Sequence, residues 1–311
     1  MSPASAVLPG EPAAEAREGA PAAERAVRPL YWSVKRELWE NRSIHLAPLA
    51  VAVFLAVALA VHGATMPSHL PGMLGTDPAQ PGSASALYRG MAVLMMAIAF
   101  VTGAVYCMDA LSGERRDRSI LFWKSLPVSD RTTVLAKAAV PLVVLPLVTL
   151  AAVVALHLVL FLLSAAVLLA QGRSVAALWG ELHLLSLWPA LAYALAAAAL
   201  WHAPIYAFLL LVSGWARRTA ALWAVLPVLA LGVLEKLTMN TLHVAAWVTH
   251  ALIGWYGAAF APYARERTPF HPLTSPAPGS FLATPWLWIG LALAVAFVLA
   301  AARLRRYRAP G

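Results

Sequence analysis

The residues best suited to do work lie between Asp109 and Lys137. Glu114, Arg115, Arg116, Asp117 and Arg118 crowd carboxylates and guanidinium groups together just after Gly113. Leu121, Phe122 and Trp123 follow, then Leu126-Pro127, Ser129, Asp130 and Lys137. Three consecutive apolar side chains among charges must bury themselves in a membrane face or in a partner. Pro127 disfavours helical geometry at Leu126, so a helix stops there. Ser129 or Asp130 then caps a new helix that runs through Lys137. Gly113 is expected to end the preceding helix. Glu114 is expected within reach of Arg115, Arg118 and Lys137, as an exposed tie contributing about 0–1 kcal/mol. The chemistry such a segment offers is docking and mechanical transmission.

Bond-making chemistry finds less support. No G-x-x-x-x-G-K-[ST] sequence is present, so the chain has no phosphate-cradling loop of that kind and is not expected to be an enzyme. No H-E-x-x-H occurs, and Glu181-Leu182-His183 lacks the histidine pair that places two ligands on one helix face. His243 and His250 share a helix face without a carboxylate, so no metal site is expected. No carboxylate falls at mid-depth in an apolar run, which weighs against a Ser-His-Asp hydrolase and against a proton- or sodium-coupled carrier. His157 and His202 do lie inside apolar runs. They are the candidates for lining a translocation path, although a lone intramembrane histidine more often hydrogen-bonds a neighbouring helix.

The elements that position these residues follow from composition. The chain has 311 residues, of which 61% are hydrophobic and 12% charged. Soluble domains carry about 25% charged residues, so the expected class is an all-α integral membrane protein. Six spans are read at 46–63, 87–111, 138–170, 184–214, 220–237 and 286–302. The third and fourth exceed the roughly 20 residues a span needs, so they should tilt, protrude or bend at Pro141, Pro146, Pro189 and Pro204. The net charge of +9 is explained by orientation rather than by nucleic acid. Arg28, Lys35, Arg36 and Arg42 precede the first span; six basic residues from Arg115 to Lys137 lie between the second and third. Arg217 and Arg218 follow the fourth, and Arg303, Arg305, Arg306 and Arg308 end the chain. This bias places both termini in the cytoplasm. Cys107, the single cysteine, is read as a small apolar residue in a helix.

Around the spans, 1–28 is expected to be a disordered cytoplasmic tail rather than a secretory signal. Segment 29–45 is expected to be an amphipathic helix in the headgroup plane, with Leu30, Val34, Leu38 and Trp39 on one face. Lys35, Arg36, Glu40 and Arg42 fall largely on the other. Tyr31, Trp32 and Trp39 suit the interface. The outer segment 239–285 is long, and its apolar first part is expected to be re-entrant or surface-lying, bent at Gly254 and Gly257. A seventh span there would carry the C-terminal arginines outside. The stretch 303–311 is a basic cytoplasmic tail.

Glu114-Arg115, then Leu126-Pro127-Val128-Ser129, then Lys137 resembles the loop between the second and third spans of type-2 ABC exporter permeases. The resemblance extends to the interfacial helix, six spans, inward termini and an enlarged outer segment. It implies a permease domain over 46–302 that forms the translocation path in the bacterial inner (cytoplasmic) membrane. It implies a separate ABC ATPase subunit that binds ATP and Mg, no cofactor on this chain, and a second or homologous permease copy completing a dimer. By the same resemblance, Glu114, Arg115, Arg118, Leu121, Phe122, Trp123, Leu126, Pro127 and Lys137 dock and couple the ATPase within 112–133. Tyr31, Trp32, Lys35, Arg36 and Trp39 belong to the interfacial helix that meets membrane lipids. The rival readings are a membrane-embedded enzyme or lipid-binding accessory protein, or a secondary carrier. Lipids, lipid-linked glycans, peptides, antibiotics and ions all fit as cargo.

Overall fold

The computed structural model describes residues 22–65, 74, 83–116, 129–216, 219–260, 273 and 275–307. Among them every regular element is a helix. In chain order these are α1 (Ala22–Glu40), α2 (Ser43–Thr65), α3 (Ser83–Asp109) and α4 (Ser112–Arg116). Then come α5 (Asp130–Ala139), a π-helical turn (Val140–Val144), α6 (Leu145–Ala170), α7 (Val175–Leu182) and α8 (Leu184–Trp215). The last are α9 (Ala220–Met239), α10 (His243–Ala259), α11 (Pro278–Leu282) and α12 (Pro285–Tyr307). Six helical stretches, some with a short break, are long and apolar enough to cross a bilayer: 43–62, 84–116, 130–170, 178–215, 220–239 and 285–307. Each overlaps one of the spans read from hydropathy.

Local chemistry sets the boundaries. Ser129 caps α5, its Oγ accepting from the Thr132 amide at 3.1 Å. Asp130 sits in the first turn, where a carboxylate favours the positive end of the helix. Gly172 ends α6 in the left-handed conformation that only glycine adopts without strain, and the Arg173 amide returns to the Leu168 carbonyl. Of the four expected proline bends, Pro141 falls in the π-helical turn, which interrupts the third span. Pro189 and Pro204 stay inside the single helix α8. The break after the second span comes at Ala110–Leu111, ahead of Gly113, which is buried inside α4. Its cause is tertiary: the Leu111 and Ser112 amides both donate to Ser213 Oγ at 3.0 Å. Helix α1 starts at Ala22, earlier than the expected 29, and carries Pro29 within it.

The bundle has two ends. At one, α1, α4, α5, the end of α8 and the end of α12 converge; it is called here the basic end. The core on that side includes Ile44, Tyr106, Cys107, Leu145, Tyr206 and Leu210. The other half is packed around Tyr88, Met95, Leu156, Leu191, Trp201 and Phe260. Helices α8 and α12 pack through Ala203, Ala207 and Ala294. A Cβ placed on Gly290 would lie 3.3 Å from the Pro204 ring.

Segment 240–260 forms one helix of 17 residues, about 25 Å long. Gly254 and Gly257 lie within the uninterrupted α10; a side chain at 254 would collide with His250 and Trp201. Trp201 Nε1 donates to the Ala251 carbonyl at 3.2 Å, and Tyr193 Oη donates to that of Ala259 at 3.4 Å. α10 therefore runs antiparallel to α8. Its N-terminus is capped by Glu235 of α9, which accepts from Thr241 Oγ1 and the His243 amide at 2.6 Å and the Val244 amide at 2.8 Å. α9 begins beside the end of α8 and α12 returns to that same end, so α9 and α10 together make one net crossing.

Candidate functional site

At the basic end six charged side chains from four helices meet, four of them on the terminal turns of membrane-length stretches. Lys137 of α5 is at the centre, 2% exposed. Its ammonium lies 2.9 Å from Glu37 Oε1 of α1 and 3.0 Å from Glu114 Oε1 of α4. Arg305 of α12 reaches Glu114 Oε2 through Nη1 at 3.0 Å and Asp130 Oδ1 through Nε at 3.0 Å. Arg36 contacts Glu37 at 2.9 Å and approaches Glu114 at 3.8 Å. Tyr106 of α3 donates to Glu37 Oε2 at 2.8 Å. Three bases (Arg36, Lys137, Arg305) thus face three acids (Glu37, Glu114, Asp130), with the exposed Glu40 at the rim, 3.7 Å from Arg36 Nε. Pairing of the buried charges is what makes their burial tolerable, because an uncompensated buried charge costs several kcal/mol.

Glu37 shows how the balance falls. Burial alone would push its carboxyl up. The Lys137 ammonium, with hydrogen bonds from Arg36, Lys137 and Tyr106, outweighs burial and holds it below the ordinary carboxylate range. Glu37 is therefore an acceptor-only anion that gathers three donors from three different helices.

Beside the cluster, Arg115 turns to the end of α8. Its guanidinium donates to the carbonyls of Gly214 at 2.6 Å and Ala216 at 2.8 Å, and to that of Ser213. These are the last-turn carbonyls that a helix leaves without intrahelical donors. Ser213 and Arg115 so form a reciprocal clasp between the start of α4 and the end of α8. The adjacent pair Glu114-Arg115 divides its labour: the acid joins the charge cluster and the base closes α8.

The expected partner Lys137 is at Glu114. The tie is buried rather than exposed, since Glu114 is 8% exposed. Arg118, Leu121, Phe122, Trp123, Leu126 and Pro127 lie outside the described residues. Sequence reasoning missed Glu37, Tyr106 and Arg305 as site residues. Glu37 lies 100 residues from Lys137, and no local spacing joins the two. One local signal was present: Ser33 and Glu37 are four apart, on the face α1 buries.

That face differs from the expected one. Ser33 and Glu37 point inward, with Leu38 packed on the core, while Trp39 is 66% exposed. Tyr31 and Trp32 are exposed as well, and the Lys35 ammonium lies over both Trp32 and Trp39, at 4.9 and 5.1 Å from the ring centres. The outward face of α1 is an aromatic strip threaded by one cation, the composition that favours the headgroup layer. Trp39 belongs to this strip because it lies one helical step past Leu38, beyond the edge of the buried stripe.

His157 and His202 are buried, each with Nε2 against a carbonyl of another helix: Tyr88 O at 3.0 Å and Leu252 O at 2.8 Å. His157 packs on the Tyr88 ring and His202 on Phe100. In this arrangement both bind helices together.

No protein-family profile, curated protein or solved structure matches the chain.

Proposed function

We propose that this chain is the membrane-spanning permease subunit of an ATP-driven exporter of the type-2 ABC kind. In this reading the termini face the cytoplasm of a bacterial cell. A separate ATPase subunit, carrying ATP and Mg, docks on segment 112–133, and a second permease copy completes the translocation path. The observation that carries the reading is the buried charge cluster. It joins the segment between the second and third spans to α1 and to the last span, as a part that transmits force from a docked subunit must be joined. The six apolar helices and the exposed aromatic strip of α1 support the same reading.

The test is purification of the tagged chain from its native membrane. A soluble ATPase is expected to accompany it and to show vanadate-sensitive turnover, while the isolated chain shows none. Sustained vanadate-sensitive turnover by the chain alone, or its recovery without any ATPase after mild solubilisation, would overturn the proposal.

A further inference from the structure

The charge cluster contains one residue that bridges two points far apart in sequence. Glu114 lies in α4, before segment 117–128, and Asp130 opens α5, after it. Both are held by the same side chain, Arg305, at 3.0 Å each. The Arg305 side chain is 5% exposed and Asp130 28%. Arg305 sits near the end of α12, in the last turn of the last span.

We propose that Arg305 is a positioning residue that clamps both ends of the segment between the second and third spans to the last span. Displacement of that segment is then delivered to α12, as well as to the two spans it connects directly. This deepens the permease reading and rests on it for the direction of use. The clamp itself stands on geometry alone.

Three features make the clamp specific. A guanidinium spreads its charge over a rigid plane, so Nε and Nη1 each lie 3.0 Å from a different carboxylate in two ion pairs; an ammonium is a compact point charge without that spread. Apolar contact lies in register with it: Leu111, Val134, Ala301 and Ala302 form one small buried cluster joining the end of the second span, α5 and α12. The alanines let the backbones approach closely. Finally, α12 is seated along α8 through Ala203, Ala207, Ala294 and the Pro204–Gly290 contact, so a push at Arg305 moves a packed pair of helices rather than a frayed end. Lys137 carries the same input sideways, through Glu37, to α1. A wholly apolar contact would hold these helices with less desolvation. It would not tie two separated chain points to one atom group.

The experiment is hydrogen exchange on the full-length chain in lipid nanodiscs. In Arg305→Gln, the amides of 112–116 and of 130–137 are expected to exchange at least about tenfold faster, together, while those of 149–160 in α6 stay as in the wild type. Asp130→Asn should loosen 130–137 and leave 112–116 protected. Arg305→Lys, which keeps the charge and serves in place of Gln if that variant fails to fold, should loosen at least one of the two ends. Unchanged exchange at both ends in Arg305→Gln and Arg305→Lys would overturn the clamp. So would an equal rise in α6, because that marks general destabilisation. In the complex with its co-purified ATPase, trapping with Mg-ATP and vanadate should change exchange at 301–307 in the wild type and not in Arg305→Lys. An equal response in both would also overturn it. A preparation without an ATPase counts against the permease reading, whereas the exchange pattern of the chain alone decides the clamp.

Discussion

Glu114 and Glu37 share one ammonium, and their roles separate by what each leaves behind when removed. Without Glu114, Lys137 keeps Glu37 and Arg305 keeps Asp130. Glu114→Gln should therefore cost about 1–3 kcal/mol, less than a pair left with a bare buried charge. We expect the ATPase to co-purify with this variant at near wild-type yield; its loss would make Glu114 a docking residue. Glu37 carries the pH dependence. Its folded value lies below its unfolded one near ~4.3, so its stabilisation is fully present above that value. It is lost as pH falls through the lower, folded value. Thermal unfolding in detergent should show the wild type losing stability as pH falls below the ordinary carboxylate range, with Glu37→Gln flatter there and less stable above it. A parallel pair of curves would rule Glu37 out as the acid-sensitive group. At this scale the sequence disclosed Glu114, Arg115 and Lys137, because they stand in one short segment with a recognisable order. Glu37 and Arg305 were hidden because their partners are brought by folding. Arg305 had a sufficient local explanation as one of several orienting charges.

The helices themselves were far more legible than their joints. Apolar length dictates a span almost regardless of context, so all six stretches were visible. The joints depend on donors and acceptors that only the fold supplies. Ser213 opens the turn at Ala110–Leu111, which the sequence placed at Gly113, and Glu235 starts α10. The Glu235 cap gives a local prediction. Glu235→Ala removes the acceptor for two amides and a hydroxyl, so the amides of 243–247 should exchange roughly five- to tenfold faster. Exchange along α8 should not change. Uniform exchange across α10 in the variant would show that Trp201 and His202, and not the cap, hold this helix. Leu121, Phe122 and Trp123 lie outside the described residues, yet three apolar side chains between charges need a cover. Central aromatic anchors cost about 2 kcal/mol or more on truncation. Phe122→Ala with Trp123→Ala should weaken ATPase capture at least about 30-fold, and unchanged capture would assign the patch to lipid.

For the whole molecule, the ion cluster constrains topology more tightly than hydropathy does. Glu37, Lys137, Glu114 and Arg305 are linked in that order by ion pairs, so the helix before the first span, the segment between the second and third, and the end of the last span share one side. The two segments that precede and follow the first pair of spans cannot be placed on opposite sides without tearing this contact. Nor can a seventh crossing be inserted between α9 and α12, which start and end at the same end of the bundle. The contacts therefore reduce topology to a single choice of sign, and the proposed reading, by the clustering of Lys and Arg at this end, assigns that end to the cytoplasm. Two cysteine positions in a Cys107→Ser background test both statements. Leu282, 51% exposed, lies near the end of the outer segment, and Tyr307, 78% exposed, follows the cluster. In intact cells a membrane-impermeant maleimide should label Leu282→Cys and should reach Tyr307→Cys only after permeabilisation. Trp39→Cys, 66% exposed on the outer face of α1, must follow Tyr307→Cys in either case. Labelling of Tyr307→Cys and Trp39→Cys together in intact cells would reverse the orientation and remove the ATPase docking surface from the cytoplasm. Labelling of one without the other would break the ion cluster as a description of the folded chain.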